Sequence, residues 1–245
     1  MQKRAYDIIK AHSEQPYPKD PLLLIIIGCG GTGKSYLINA VKNLLQHSCA
    51  VTATTGKAAY SIRGCTIHSL LKLPVGAKGN KDFTGQSLVI LQNALKEISY
   101  IIIDEYSMLG QKMFAWVDKR CRQVSGLTDQ LFGSKSIILV GDPAQLPPVA
   151  DKPLYHSNPS NALQEQGHLA YFMFKTVVKL TLNQRVQGST PTQTIFRDLL
   201  NRLRTGDSNE DDWRLLVTRQ PSLANNIAEF SNAIRLYYSN DEVAK

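Results

Sequence analysis

Residues 22–35 read LLLIIIGCGGTGKS: six apolar residues, Leu22 to Ile27, run into Gly28, Gly30, Gly31, Thr32 and Gly33 and close on Lys34 and Ser35. Gly28 to Ser35 fits GxxxxGKS without a gap, the spacing of a phosphate-binding loop. Its glycines let backbone N–H groups turn inward around an anionic chain of phosphates, Lys34 reaches the terminal phosphates, and the Ser35 hydroxyl suits Mg²⁺. The flanks decide the fold. A run apolar at every position predicts a strand covered on both faces, and Leu37, Ile38, Val41, Leu44 and Leu45 then recur at helical spacing. A Gly-rich turn bearing an exposed lysine is the competing reading, and it leaves both flanks unexplained.

Further apolar runs at Ala50 to Thr54, Tyr100 to Ile103, Ile137 to Val140 and Val177 to Leu182 alternate with helix-length segments. That alternation predicts an α/β domain with a mainly parallel sheet flanked by helices, functional loops following the C-terminal ends of its strands. Between Pro74 and Gln86 the sequence PVGAKGNKDFTGQ reads as an exposed insertion between the second and third strands. After Arg185 the character turns helical: Ile195, Phe196, Leu199, Leu200 and Leu203 form a stripe closed by Gly206. Ser208 with Asp211 reads as a capping box opening the helix that bears Trp213 and Leu216. Ala233 to Tyr238 reads as a strand and Ser239 to Lys245 as the start of a helix, so the chain is expected to be a fragment or a truncated reading frame.

At 245 residues, 43% of them hydrophobic, the chain suits one large domain or one and a half. Its longest apolar run is too short to span a bilayer and no signal-peptide pattern opens the chain, so a soluble intracellular protein without membrane partners is expected. Four scattered cysteines, Cys29, Cys49, Cys65 and Cys121, support neither a disulfide framework nor a zinc site. The formal charge of +8 fits a polyanion such as nucleic acid, and also plain solubility.

Two carboxylates, Asp104 and Glu105, follow the apolar Tyr100 to Ile103. Asp104 suits ordering the Mg²⁺ shell and Glu105 suits polarising the attacking water. The run beginning at Ile137 ends IILVGDPAQLPPV, where Gln145, between Gly-Asp-Pro and Leu-Pro-Pro, is predicted to sense the terminal phosphate unless it is merely a solvated loop residue. A guanine-nucleotide switch is disfavoured: Glu105, Tyr106 and Ser107 follow Asp104 where DxxG belongs, and Asn80-Lys81-Asp82 misses the guanine spacing by one residue.

The segment TATTGKAAYSIRGCTIHSLL, Thr52 to Leu71, supplies the nucleic-acid candidates. Thr54, Thr55, Gly56, Lys57, Thr66 and Ser69 suit phosphate-backbone contacts, which position a strand without reading it. Tyr60 suits either stacking on a base or burial in a helix, and His68 either a DNA contact or a structural hydrogen bond.

Taken together, GCGGTGKS, TGKAAYSIRG with TIHSLL, IIIDEYSML, GDPAQLPPV and LTLNQR, in that order, resemble the Pif-type, RecD-like superfamily-one DNA helicases over about Gln2 to Gly206. The resemblance implies a P-loop NTPase with a RecA-like first domain at 1–178, and linker helices plus the start of a second RecA-like domain at 179–245. It makes Gln2 the adenine contact and Arg185 the arginine at the terminal phosphate. It implies Mg²⁺-ATP as fuel, 5′-to-3′ movement on single-stranded DNA, duplex junctions as further partners, a monomer, and a nuclear or mitochondrial setting in a eukaryote. The site read this way comprises Lys34, Glu105, Gln145 and Arg185 as catalytic groups, with Ser35 and Asp104 at the metal. The alternative is a nucleotide-dependent DNA-binding module without unwinding activity, and a chain holding one lobe and the beginning of another is not expected to unwind DNA by itself.

Overall fold

The computed structural model describes residues 1–74, 82–184, 190–220, 231–237 and 239–243. They fall into two compact units, Met1–Gln187 and Gly188–Lys245.

The first unit runs α1 (Gln2–Ser13), β1 (Leu23–Gly28), α2 (Lys34–Leu45), β2 (Cys49–Ala53), α3 (Gly56–Ser61), β3 (Cys65–Thr66), α4 (Ile67–Leu71), α5 (Gly85–Leu95), β4 (Tyr100–Asp104), α6 (Gln111–Ser125), β5 (Ser136–Gly141), α7 (Ala162–Phe172) and β6 (Thr176–Leu180). All pairings are parallel and the strand order is β3-β2-β4-β5-β1-β6. Each of the five apolar runs forms a strand. Alternate residues supply opposite faces, as the pleat requires. Ile25, Ile101, Ile103, Ile137 and Leu139 pack with Ile67, Leu95, Phe114, Val117 and Phe132 on one side. Leu24, Ile26, Ile102, Ile138 and Val140 pack with Ile9, Leu37, Ile38 and Val41 on the other. The result is a three-layer sandwich in which a sheet buried on both faces needs apolar sequence at every position.

In this unit two details differ from the sequence reading. A sixth strand, Cys65–Thr66, extends the sheet beyond β2; at two residues it is too short to carry any hydropathy period. The expected Pro74–Gln86 insertion therefore lies between β3 and β4, and its last two residues already belong to α5. Residues 75–81 of that segment lie outside the described residues, Asn80 and Lys81 included.

In the second unit, α8 (Pro191–Thr205) ends at Gly206 with φ +82°, the left-handed cap that the stripe's closing glycine predicts. Within that stripe only Leu199 is buried. The capping box of α9 (Glu210–Val217) is formed by Asn209 and Asp212, one residue later than the Ser208–Asp211 reading. Arg202 fixes this frame: its guanidinium donates two hydrogen bonds to the Asp212 carboxylate, at 2.7 and 2.6 Å, so the residue that caps α9 also ties it to α8. Ala233 to Tyr237 form no strand; a strand needs a neighbour for its backbone groups, and among the described residues none pairs with it. Tyr238 lies outside the described residues, and a short helix, α10 (Asn240–Val243), follows.

Gly167 of α7 marks the closest approach of α6 and α7, where an added Cβ would collide with the Gln111 carbonyl and press on the Ala115 nitrogen. Gly167→Ala is expected to cost about 3 kcal/mol. Gly126→Ala meets no neighbour and suffers only its φ of +73°, at about 1 kcal/mol. Thermal melts of the two variants test the difference, and equal losses would rule out the steric account.

Candidate nucleotide and nucleic-acid site

The C-terminal ends of β1, β4 and β5 meet at one edge of the sheet. Gly31 and Gly33 hold φ near +84° and +81°, which turns the loop after β1 back so that α2 starts at Lys34 with its first N–H groups facing the loop. Lys34 is buried, and its ammonium donates to the Gly28 and Cys29 carbonyls at 2.7 and 3.1 Å. The Thr32 hydroxyl donates to the Cys29 carbonyl at 2.8 Å, while Ser35 is exposed at the mouth of the loop.

Gln2 reaches the same loop from α1, its amide donating to the Thr32 carbonyl at 2.8 Å. A Cβ on Gly33 would displace that amide, and the φ of +81° there strains any other residue. A cleft of about 200 Å³ opens here, bounded by Gln2, Lys3, Thr32, Leu180, Leu182 and Gln184. Leu180 and Leu182 offer apolar surface beside the Gln2 amide, a combination that fits a flat heterocyclic base. The chain beyond β6 is tied down too: the Gln184 N–H donates to the Gly31 carbonyl at 2.7 Å and the Asn183 amide to Gly30 at 3.3 Å. Arg185 lies outside the described residues.

Asp104 ends β4 almost completely buried, one carboxylate oxygen accepting the Glu105 N–H at 2.9 Å. Burial, reinforced by the Glu105 charge, pushes its carboxyl up to about 6, against the pull of that hydrogen bond and of Lys34. Glu105 has φ +53° and ψ +42°, a left-handed conformation costing a residue with a side chain about 1 kcal/mol. The bend is reinforced from β5: a Cβ on Gly141 would come within 3.0 Å of the Tyr106 ring and 3.5 Å of the Glu105 Cα. Among the described residues no three His, Cys, Asp or Glu side chains cluster to hold a metal. A buried carboxylate at the end of β4, with the Ser35 hydroxyl in the first turn of α2, is the kind of sparse donor set that suits Mg²⁺, which takes one or two protein ligands plus phosphate and water.

Gln145 follows β5, whose Gly141 pairs with Ile27 just before the phosphate loop. Its side chain is exposed, and its backbone N–H donates to the Asp142 carbonyl at 3.0 Å. Asp142 itself, 1% exposed, accepts the Ala144 N–H at 3.1 Å and so roots the loop. Sequence reasoning assigned Asp142 nothing, though an Asp-Pro at a strand end is a turn signal.

In the nucleic-acid segment Thr55 caps α3 by accepting the Ala58 N–H at 3.3 Å, and Thr66 caps α4 by accepting the Ser69 N–H at 3.1 Å. The Thr66 hydroxyl donates to the Ser69 oxygen at 2.8 Å, so these hydroxyls first of all shape the backbone. Gly56 and Lys57 are exposed, and Tyr60 is 84% exposed, which sets aside its burial in the helix. His68 is half-buried, and that burial lowers its pKa. Thr54, read with these residues as a phosphate-backbone contact, is committed elsewhere: its hydroxyl donates to the Glu105 carbonyl at 3.1 Å and its N–H to the Asp104 carbonyl at 3.3 Å.

A phosphate loop beside a carboxylate pair on a parallel, helix-flanked sheet defines a P-loop nucleoside triphosphatase with a RecA-like core. The chain belongs to the PIF1-like helicase family, which it matches over residues 1–214. It is 34% identical over 187 residues to the ATP-dependent DNA helicase PIF1 of Trypanosoma brucei brucei, covering 75% of this chain and 17% of that protein. To the ATP-dependent DNA helicase PIF1 of Saccharomyces cerevisiae it is 31% identical over 195 residues, 76% of this chain and 22% of that protein. The chain thus spans about a fifth of these relatives. A crystal structure of Pif1 helicase from Bacteroides in complex with ADP-AlF3 and ssDNA superposes with a TM-score of 0.65 at 24% identity, covering 92% of this chain and 51% of that one. The Candida albicans Pif1 helicase gives 0.64, with 87% and 45% covered. No helix among the described residues is long and apolar enough to cross a membrane.

Because Asp104 is charged against the preference of its surroundings, removing the charge relieves the fold. The sign follows from a folded pKa above the ordinary carboxylate value of 3.8: the charged form costs stability at neutral pH, and the cost fades as pH falls from about 6 toward 3.8. Asp104→Asn is therefore expected to raise the melting temperature at pH 7.5 without Mg²⁺, by an amount that shrinks toward pH 5. Scanning calorimetry at both pH values checks this, and a lower melting temperature for the variant at pH 7.5 would refute it.

Proposed function

We propose that this chain is the nucleotide-hydrolysing part of an ATP-dependent DNA helicase motor, using Mg²⁺-ATP to move 5′ to 3′ on single-stranded DNA, with duplex junctions as the structures it opens. On this reading residues 1–178 are the first RecA-like domain, and 179–245 are the linker helices and start of the second. The observation that carries it is the convergence of Lys34, Asp104, Glu105 and the Gln145 loop on one sheet edge, with the Thr55–Ser69 segment hydrogen-bonded to the same carboxylate turn through Thr54.

Each group has a definite task. Gln2 and the cleft beside it hold the adenine, and the loop N–H groups with Lys34 hold the β- and γ-phosphates. Lys34 must leave the Gly28 and Cys29 carbonyls to do so, exchanging two neutral acceptors for an anion. Ser35 and Asp104 would hold Mg²⁺, which when bound neutralises developing charge on the phosphates. Glu105 accepts the proton of the attacking water, its carboxylate projected by the left-handed turn. Gln145 hydrogen-bonds the terminal phosphate and Arg185 stabilises charge in the transition state; Gln184, its neighbour, being bonded to the phosphate loop supports that role. On the DNA side Lys57 neutralises phosphate and Tyr60 offers a stacking face, with Gly56, Thr55, Thr66, His68 and Ser69 lining the track.

The decisive measurement is ATP hydrolysis with and without single-stranded DNA. Glu105→Gln is expected to bind nucleotide as tightly as wild type and to lose hydrolysis by about a thousandfold, whereas Lys34→Ala loses binding as well. Turnover that survives Glu105→Gln would sink the assignment of the base. Nucleotide and DNA binding with no turnover in the wild type would favour a binding module.

DNA affinity is expected to fall with salt along a straight log–log line. Lys57→Ala should flatten that slope by about 0.7, one phosphate's worth for a single strand. An unchanged slope in fluorescence anisotropy titrations would remove Lys57 from the track.

A further inference from the structure

Helix α6 begins six residues after Glu105, and its N-cap is Gly110, which has no side chain with which to cap it. The missing acceptor comes from about forty residues away. One carboxylate oxygen of Asp151 accepts the Lys112 and Met113 N–H groups at 2.8 and 3.4 Å, two of the orphan donors of the first turn. The other oxygen accepts the Gln164 amide of α7 at 2.9 Å and the Lys152 N–H at 2.8 Å. The Gln164 carbonyl oxygen in turn accepts the Ser160 N–H at 2.7 Å.

Around this carboxylate the backbone is stitched to α6 as well. Gly110 pairs with Pro153 in an antiparallel bridge, and the Gln111 N–H donates to the Lys152 carbonyl at 2.9 Å. The buried Gln111 amide donates to the His156 carbonyl at 2.7 Å. Ala150, just before the lock, holds φ +56°, a left-handed conformation that persists only where its surroundings impose it.

The loop that carries Gln145 lies between two fixed points: Asp142 at the end of β5, and Asp151 on α6. Pro147 and Pro148 stiffen the span between them. Near its near end Gly141 lies against the Glu105 turn; at its far end Asp151 caps the helix that continues from that turn. Both ends of the loop are therefore referred to the carboxylate turn, and its exposed glutamine is held relative to Glu105 with no bond between the two side chains.

Resting on the reading of Gln145 as the contact to the terminal phosphate, we infer that Asp151 is a positioning residue for that contact: by capping α6 from outside it sets where Gln145 stands relative to the phosphate loop. The Asp151 carboxylate acts on the nucleotide through Gln145 alone; one serving only the fold would leave the nucleotide preference where it is.

The test reads the preference for a triphosphate over a diphosphate, which depends on that contact and needs no turnover. Fluorescent ADP bound to the whole chain is displaced by ADP and by a non-hydrolysable ATP analogue, both with Mg²⁺. Gln145→Ala is expected to lower the triphosphate preference by about tenfold. Asp151→Ala is expected to lower it by about fivefold with ADP affinity unchanged, and the double variant to match Gln145→Ala alone. Gln164→Ala, which removes one donor and leaves the cap of α6 in place, shifts the preference in the same direction by a smaller factor and carries the test if Asp151→Ala does not fold. A preference unchanged in Asp151→Ala, or in Gln164→Ala where that variant carries the test, overturns the inference, as does a loss that multiplies with that of Gln145→Ala. A preference unchanged in Gln145→Ala is a different failure: it overturns the reading of Gln145 and the inference with it.

Discussion

The backbone ladder that joins β1 to β5 and β5 to β4 is the interaction on which the site depends. Parallel pairing fixes Ile27 opposite Gly141 and Ile103 opposite Leu139. Once that register is set, the phosphate loop, the Asp104–Glu105 turn and the Gln145 loop must leave the sheet from the same edge in adjacent positions. No side-chain contact has to bring them together. The register is protected by burial, since a slip of one residue would exchange Ile25 with Ile26 and present every β1 side chain to the wrong layer.

That dependence explains which parts were legible beforehand. The five longer strands could be read because a parallel strand covered on both faces has to be apolar throughout, and the phosphate loop because its backbone geometry demands glycine at fixed spacing. Cys65–Thr66 has no such constraint. Asp142 and Asp151 look like ordinary loop aspartates among prolines; what distinguishes them is burial for the first and a helix some forty residues away for the second, neither of which is local in sequence. The one-residue error at the α9 cap has the same origin, because the Arg202–Asp212 pair chose between two adjacent polar residues of similar capping strength. Gln2 was legible only through resemblance, since its partner, the Thr32 carbonyl, lies thirty residues on in the phosphate loop.

Two costly features stand side by side in the site. Asp104 is a carboxylate whose burial works against its charge, and Glu105 occupies a left-handed backbone region that most side chains disfavour. Neither is relieved locally. The Glu105 N–H offers Asp104 only partial compensation, and the Glu105 charge worsens its situation. What holds them is the packing beneath: Ile101, Ile102 and Ile103 are fully buried between two helical layers, so β4 cannot shift to let its last residues reach water. A rigid strand ending in a poorly solvated acid is suited to a hard cation, because bringing in positive charge relieves a cost already present in the fold.

Thr54 joins the two candidate binding surfaces. It ends no helix and lines no pocket; its hydroxyl and its N–H donate to the carbonyls of Glu105 and Asp104, continuing the β2–β4 ladder one residue past the end of β2. The next residue, Thr55, caps α3, which carries Lys57 and the exposed Tyr60. Glu105 and α3 are therefore separated by one peptide and one hydrogen bond. Glu105 holds a left-handed conformation that persists only where its surroundings impose it, and the Thr54 hydroxyl on its carbonyl, the close packing of Gly141 against the Tyr106 ring and the buried strand β4 are those surroundings. The residue that braces the carboxylate turn directly precedes the one that caps α3, so a single short stretch of backbone places both candidate surfaces.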